Sequence, residues 1–201
     1  MPMVRGLKDH PALFAYEIFN EPEGVYTGRQ FCETEVPINQ SSASIFVNEA
    51  AAVIHELDAN VKVTTSTHTD LFNDFSNETL TSLENAKPEG VLDFYELHWY
   101  RGWGRDPYTT LKSDYNLDRP IIIGEFDLNE SLGTSSNPSR DAISTILENG
   151  YAGAWPWSLA TTDEPFAIGA TINAAQQTPI NKVAVETCIR EQSPECYNQL
   201  N

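Results

Sequence analysis

The sequence has few basic residues, few cysteines and no long apolar run. Its 201 residues include 12 Lys and Arg against 29 Asp and Glu, a formal net charge of −17 at pH 7. A chain this acidic repels phosphate backbones and anionic membrane surfaces, so the composition argues against a nucleic-acid or membrane partner. No apolar segment approaches the roughly 20 residues of a membrane-spanning helix. The first residues also lack the apolar core of a signal peptide, which predicts a cytosolic protein or one that has lost a leader.

The three cysteines, Cys32, Cys188 and Cys196, leave the redox state of the chain open. The last two lie close together near a polar tail that begins at about residue 189, and they either form a small terminal disulfide loop or stay as free thiols. Hydrophobic residues make up 40% of the chain and aromatic residues 10%, which suits a packed core. With no linker or low-complexity stretch, the sequence predicts a single domain over residues 1–201.

Five short apolar runs predict buried β-strands, at residues 13–19, 61–65, 91–97, 121–124 and 151–155. The last four begin at 61, 91, 121 and 151, a spacing of 30 residues that matches one strand-helix unit. Helices are predicted at 44–57 with Ser41 or Ser44 as cap, at 77–86, from Asn137-Pro138 to Gly150, and at about 174–190. Alternating strands and helices indicate an α/β fold with a parallel sheet and right-handed crossovers.

Two glutamates follow predicted strands at places where chemistry is common. Glu21 lies in Asn20-Glu21-Pro22 after the first strand, and Glu125 follows the fourth strand in Gly124-Glu125-Phe126. The carboxyl ends of parallel strands form the ligand face of such folds. One glutamate there is more often a helix cap or a surface charge. Two of them across a cleft could cleave a glycosidic bond, one protonating the leaving oxygen and the other attacking the anomeric carbon.

Two further strand ends favour the catalytic interpretation. The third predicted strand leads into His98-Trp99-Tyr100, and the fifth leads into Trp155-Pro156-Trp157. Histidine and tyrosine can hydrogen-bond a carboxylate and fix its protonation state. An exposed tryptophan offers a flat apolar face on which a sugar ring can stack. The four strand ends together are far more specific than either glutamate alone.

The order Asn-Glu-Pro, His-x-Tyr, Gly-Glu-Phe and Trp-Ser at successive strand ends resembles glycoside hydrolase family 5. Four phrases most resemble its animal-type endo-β-1,4-mannanases, over roughly residues 7–160: His10-Pro11-Ala12-Leu13, Asn20-Glu21-Pro22-Glu23-Gly24, Pro120-Ile121-Ile122-Ile123-Gly124-Glu125-Phe126 and Gly153-Ala154-Trp155-Pro156-Trp157. The resemblance implies strands four to eight of a (β/α)8 TIM barrel with their helices. It also implies a β-1,4-linked polysaccharide or oligosaccharide as substrate, a secreted parent enzyme, and no metal or organic cofactor.

The resemblance further implies a role for each matching residue. Glu21 would be the acid/base with a raised pKa, and Glu125 the ionised nucleophile, about 5–5.5 Å away in a retaining double displacement. Tyr100 would be oriented towards the nucleophile. Trp155 could compete with Trp157 for the sugar-stacking role, but we expect it to be a buried core residue. The sugar-binding positions would be Asn20, His98, Tyr100 and Trp157.

The sequence also departs from this family. Only 12 residues precede the strand that matches the family's strand four, so five of eight strands are expected. The family's arginine on strand two and histidine on strand three have no counterpart. Open strand edges would favour homo-oligomers. The chain could be a fragment of a hydrolase, a natural half-barrel that self-associates, or a catalytically impaired remnant that binds carbohydrate.

Overall fold

The structure, a computed structural model, describes residues 1–26, 36–68, 74–126, 138–155 and 157. The three cysteines, the Asn137 cap and the helix predicted at about 174–190 lie outside the described residues. The chain divides into two compact units, Met1–Glu96 and Leu97–Asn201. The single domain over residues 1–201 stays a prediction.

The first unit alternates short strands with helices. Its elements are helix α1 (Pro2–Leu7), strand β1 (Ala15–Glu17), a 3₁₀ helix (Pro22–Val25), helix α2 (Gln40–Leu57), strands β2 (Lys62–Thr64) and β3 (Ser66–His68), and helix α3 (Asn77–Ser82). Strands β1 and β2 pair in parallel, with Tyr16 opposite Val63. The core lies between this sheet and the helices, and its buried side chains include Val47, Ala51, Ile54, Val63, Leu80 and Phe94.

Strand β4 (Tyr95–Trp99) crosses the division, and the second unit continues from it. A 3₁₀ helix (Lys112–Tyr115), strand β5 (Ile121–Phe126), helix α4 (Pro138–Glu148) and strand β6 (Gly153–Ala154) follow. The strand order is β4, β5, β6, and β5 pairs with β6 in parallel with Ile122 opposite Gly153. Gly150, with φ of 88°, follows α4 in the left-handed conformation that ends helices, as predicted.

Helix α2 begins four residues earlier than predicted because its cap is Asn39. The Asn39 side chain accepts a hydrogen bond from the backbone N–H of Ser41 at 2.8 Å. Ser44, one of the two predicted caps, is instead buried within the helix and donates its hydroxyl to the Asp74 carbonyl oxygen at 2.8 Å. The predicted caps Ser41 and Ser44 are therefore wrong, since Asn39, two residues before Ser41, accepts one of the free N–H groups of the first turn.

The third strand also differs from its predicted bounds of 91–97. Before Tyr95, the segment is held to strand β2 by Asp93. The Asp93 backbone N–H donates to the Val63 carbonyl oxygen, and the Asp93 carboxylate accepts the Val63 N–H. One of these hydrogen bonds uses the Asp93 side chain in place of a backbone partner, and the regular strand spans only Tyr95–Trp99. Among the described residues, none of the helices is both long and apolar enough to span a bilayer.

Candidate functional site

Glu21 lies in a strained turn at the carboxyl end of β1. Its backbone is left-handed, with φ of 46° and ψ of 58°, a conformation that a non-glycine residue adopts only at a cost of about 1–3 kcal/mol. The Glu21 N–H donates to the Ser66 hydroxyl oxygen at 3.1 Å, and its carbonyl oxygen accepts the Gly24 N–H at 3.0 Å. Asn20, directly before it, is exposed. Asn20 and Glu21 therefore both reach the surface of the first unit, and hydrogen bonds at its N–H and at its carbonyl oxygen hold the Glu21 backbone.

Glu23, two residues further on, is a buried carboxyl with a raised pKa. It is 1% exposed, and neither carboxylate oxygen makes a hydrogen bond of normal geometry. Burial raises its pKa to about 7, and the charges of Asp74 and Glu21 add to this. The backbone N–H groups of Glu23 and His68 act in the opposite direction. These N–H groups lie close enough to act on the carboxylate without meeting hydrogen-bond geometry.

In the second unit, Glu125 on β5 is held by two side chains that follow or lie in β4. The Tyr100 hydroxyl donates to Glu125 Oε2 at 2.8 Å, and His98 Nδ1 lies 3.5 Å from Oε1. The His98 side chain is buried, while 14% of the Glu125 side chain stays exposed. The Tyr100 ring meets Trp103 edge-on, with centroids 5.0 Å apart. A hydroxyl that donates to a carboxylate favours its ionised form, so this arrangement suits a partly accessible anion.

The two tryptophans after β6 are both exposed. The Trp157 N–H donates to the Phe126 carbonyl oxygen at 2.9 Å, which places its backbone beside the residue after Glu125. Its side chain is 60% exposed. The prediction of a buried Trp155 is wrong, because this side chain is 48% exposed. Trp155 follows the end of β6, beyond the residues that pair with β5.

The structure thus brings three predicted residues, His98, Tyr100 and Glu125, into one cluster in the second unit. In the first unit, Asn20 and Glu21 are neighbours at one strand end. The separation of about 5–5.5 Å between the two glutamate carboxyls stays a prediction. Sequence reasoning missed the roles of Glu23 and Ser66. The only sequence signal for Glu23 is its place directly after Pro22, which begins the 3₁₀ helix.

Comparisons with known proteins find relatives over most of the chain, although no family model matches it. A mannan endo-1,4-beta-mannosidase of Mytilus edulis is 30% identical over 184 residues, covering 78% of this chain and 49% of that protein. A protein of the same name from Cryptopygus antarcticus is 29% identical over 188 residues, covering 79% and 48%. The chain spans about half the length of the curated relatives it matches.

Solved structures give the same result for the fold. The β-1,4-mannanase of the sea hare Aplysia kurodai superposes with a TM-score of 0.73 at 28% identity, covering 90% of this chain and 58% of that chain. The β-mannanase of the blue mussel Mytilus edulis gives a TM-score of 0.70 at 26% identity, covering 90% and 58%. The predicted fold class, α/β with part of a (β/α)8 TIM barrel, is confirmed.

Proposed function

We propose that this chain, a homologue of the animal endo-1,4-β-mannanases of glycoside hydrolase family 5, acts as a retaining β-1,4-mannan hydrolase. Glu125 is the nucleophile and Glu21 the acid/base of a double displacement. The observation that supports this most is the Glu125 carboxylate, which accepts a 2.8 Å hydrogen bond from Tyr100 at the end of the neighbouring strand. Two carboxyls and no cofactor are all that this chemistry requires.

The first half of the reaction breaks the glycosidic bond. The Glu125 carboxylate attacks the anomeric carbon while Glu21 gives its proton to the leaving oxygen, and a glycosyl-enzyme ester forms. Attack needs an ionised carboxylate with one oxygen open to substrate. Tyr100 stabilises the negative charge through Oε2, and the partial exposure of the side chain leaves room at the carboxylate. His98 Nδ1, 3.5 Å from Oε1, would restrict the rotation of the carboxylate about its Cγ–Cδ bond.

The second half of the reaction restores the enzyme. Glu21, now ionised, takes a proton from water, and the resulting oxygen nucleophile displaces Glu125 from the anomeric carbon. The strained backbone at Glu21 supports this role, because strained residues cluster where a side chain must be aimed. Asn20 is proposed to hydrogen-bond the sugar 2-hydroxyl. Trp157, 60% exposed beside the end of β5, offers the stacking face for the ring.

The test is hydrolysis of β-1,4-mannan by the wild-type chain, Glu125→Gln and the matched control Glu148→Gln, whose residue is exposed on α4. We expect the wild type and the control to release reducing sugar and Glu125→Gln to release none. A fluorinated mannoside, 2-deoxy-2-fluoro with a dinitrophenolate leaving group, should label Glu125 covalently, as peptide mass spectrometry would reveal. Turnover that survives Glu125→Gln, or a label on another residue, would overturn the assignment of the nucleophile.

Carbohydrate binding without catalysis is the second candidate, favoured by the exposed face of Trp157, on which a sugar ring can stack whether or not the carboxyls react. Binding of mannan without turnover would support it. Homo-oligomerisation through strand edges is part of the same candidate, and a monomer in size-exclusion chromatography would contradict that part. Because polymeric mannan does not cross a membrane, the hydrolase proposal also includes action outside the cell.

A further inference from the structure

We propose that Glu23 is a positioning residue for Glu21, because it anchors to β3 the 3₁₀ helix that begins directly after Glu21. This inference rests on the proposed role of Glu21 as acid/base. Glu23 is not a catalytic residue in this account. It acts on substrate only through the backbone that aims its neighbour.

The first anchor of this turn is already visible at Glu21 itself. Its N–H donates to the Ser66 hydroxyl at 3.1 Å, and the Ser66 N–H donates to the Phe19 carbonyl oxygen at 3.1 Å. Strand β3 therefore holds the chain on the N-terminal side of the strained residue. The Glu21 carbonyl oxygen in turn accepts the Gly24 N–H of the 3₁₀ helix, so a second contact, one that holds this helix, helps to keep Glu21 in the left-handed region.

Glu23 supplies that second contact on the C-terminal side. The 3₁₀ helix Pro22–Val25 packs against β3, and the Glu23 carboxyl is buried where the backbone N–H of His68 faces it. The groups around it are the acidic Asp74 and Glu21 and the N–H groups of Glu23 and His68. A buried carboxyl in such surroundings is costly unless it is neutral. Its pKa of about 7 means that the neutral acid is largely present in mildly acidic solution.

Removal of the anchor should let the turn relax towards an ordinary backbone conformation. The carboxyl of Glu21 would then move relative to a bound sugar, and a displacement of about 1 Å can reduce turnover on the order of 100-fold. Replacement of Glu23 by alanine and replacement of Ser66 by alanine should have the same effect, because the two residues hold the same turn from opposite ends. Glutamine at position 23 keeps the shape and the neutral state and should restore much of what alanine loses.

Amide hydrogen exchange tests the anchor without any reference to activity. The reporters are the N–H groups of Gly24 and Tyr26, which donate to the carbonyl oxygens of Glu21 and Glu23. We expect Glu23→Ala and Ser66→Ala each to speed their exchange at least 10-fold, and Glu23→Gln to lie between alanine and wild type. Glu56→Ala, at an exposed position of α2, is the matched control and should change nothing.

Unchanged exchange in Ser66→Ala and in a folded Glu23→Ala would overturn the proposal. If Glu23→Ala does not fold, Glu23→Gln and Ser66→Ala decide in the same way. If the wild-type chain shows neither turnover nor labelling of Glu125, the proposed function fails, and the exchange result still decides whether the anchor exists.

Kinetics then test whether the anchor serves the acid/base. Glu23→Ala should reduce kcat on mannan roughly 10- to 100-fold with little change in KM. Covalent labelling of Glu125 by the dinitrophenyl fluoromannoside should be nearly unaffected, since a good leaving group needs no proton. With a dinitrophenyl mannoside, whose first step needs no proton, turnover is limited by breakdown of the glycosyl-enzyme, and azide, which attacks it without a general base, should recover part of the loss on that substrate. Equal losses in labelling and in mannan turnover, with no azide effect, would mean that Glu23 does not act through Glu21.

Discussion

Replacement of Asp93 by Asn is expected to lower the free energy of unfolding by about 3–5 kcal/mol, the usual effect of removing one partner from a buried ion pair. Asp93 is buried in the first unit and accepts three hydrogen bonds. The donors are His55 Nε2 at 3.0 Å, Lys62 Nζ at 3.1 Å and the Val63 N–H at 2.8 Å. The Lys62 side chain is only 10% exposed. In the variant its charge would therefore stay buried without a countercharge.

The same network makes stability depend on pH with a defined sign. Both ring nitrogens of His55 face acceptors, the Asp93 carboxylate and the Glu89 carbonyl oxygen at 2.8 Å. Only the imidazolium has two N–H donors, so both hydrogen bonds form only in the charged state. The hydrogen bond to Asp93 raises the pKa of His55 above 6.5. Its stabilisation is thus full below about pH 6.5 and is lost as the pH rises through the folded-state pKa.

Asp93 behaves in the opposite sense at the acidic end. Burial alone would raise its pKa, but the hydrogen bond from His55, the charge of Lys62 and the Val63 amide together hold it below 3.8. Its stabilisation is present above about pH 3.8 and is lost as the pH falls through the lowered folded-state pKa. The network therefore contributes most between these two limits, in mildly acidic solution.

Urea unfolding of wild type, Asp93→Asn and the control Glu89→Gln, at roughly pH 5.5 and 8.5, measures both effects. The control removes one negative charge from an exposed side chain near the same network. The difference between wild type and Asp93→Asn should shrink at the higher pH, by at most about 1.4 kcal/mol per pH unit. A loss below about 1 kcal/mol in Asp93→Asn, or a difference that does not vary with pH, would refute this reasoning.

Three further substitutions give clear expectations. Gly90→Ala should lower the free energy of unfolding by about 1–3 kcal/mol in urea titrations, because a Cβ there would overlap the backbone oxygen and side chain of Asn48. An unchanged urea midpoint would contradict this. Asn39→Ala should cost about 1 kcal/mol in the same assay through loss of the α2 cap, and no change would mean that a different residue caps the helix. Tyr100→Phe should reduce kcat on mannan roughly 10- to 100-fold, since it removes a hydrogen bond to the Glu125 carboxylate; wild-type kcat would exclude that bond from the mechanism.

Much of the fold could be predicted from apolar runs alone. The strand Ile121–Phe126 begins with its predicted run, because side chains buried on both faces of a strand are mostly apolar. The strand Lys62–Thr64 also lies within its predicted run, although its buried Lys62 and Thr64 need polar partners, Asp93 and the Phe94 carbonyl oxygen. Strand β3, Ser66–His68, was not predicted, since its residues are polar. Its burial is stabilised by hydrogen bonds, such as Thr65 and Ser66 to the Phe19 carbonyl oxygen, which no hydrophobic pattern records.

The candidate site could be predicted in part for a similar reason. His98 and Glu125 lie in neighbouring strands of the sheet and Tyr100 directly follows one of them, so their proximity follows from strand order once the barrel resemblance is recognised. The exposure of Trp155 could not be predicted in this way. A tryptophan inside an apolar run is buried only if a second layer covers it, and that depends on what packs against the edge of β6 rather than on the run itself.

Glu21 and Glu23 show the same limit for electrostatics. The resemblance predicts a raised pKa for Glu21, the proposed acid/base, and this stays a prediction. The structure raises the pKa of Glu23 to about 7, because the 3₁₀ helix turns that side chain into the protein against β3. If the pH–rate profile of the wild type shows an inflection near pH 7, the same measurement on Glu23→Gln identifies the group. An inflection that persists in the variant belongs to Glu21, and one that disappears belongs to Glu23.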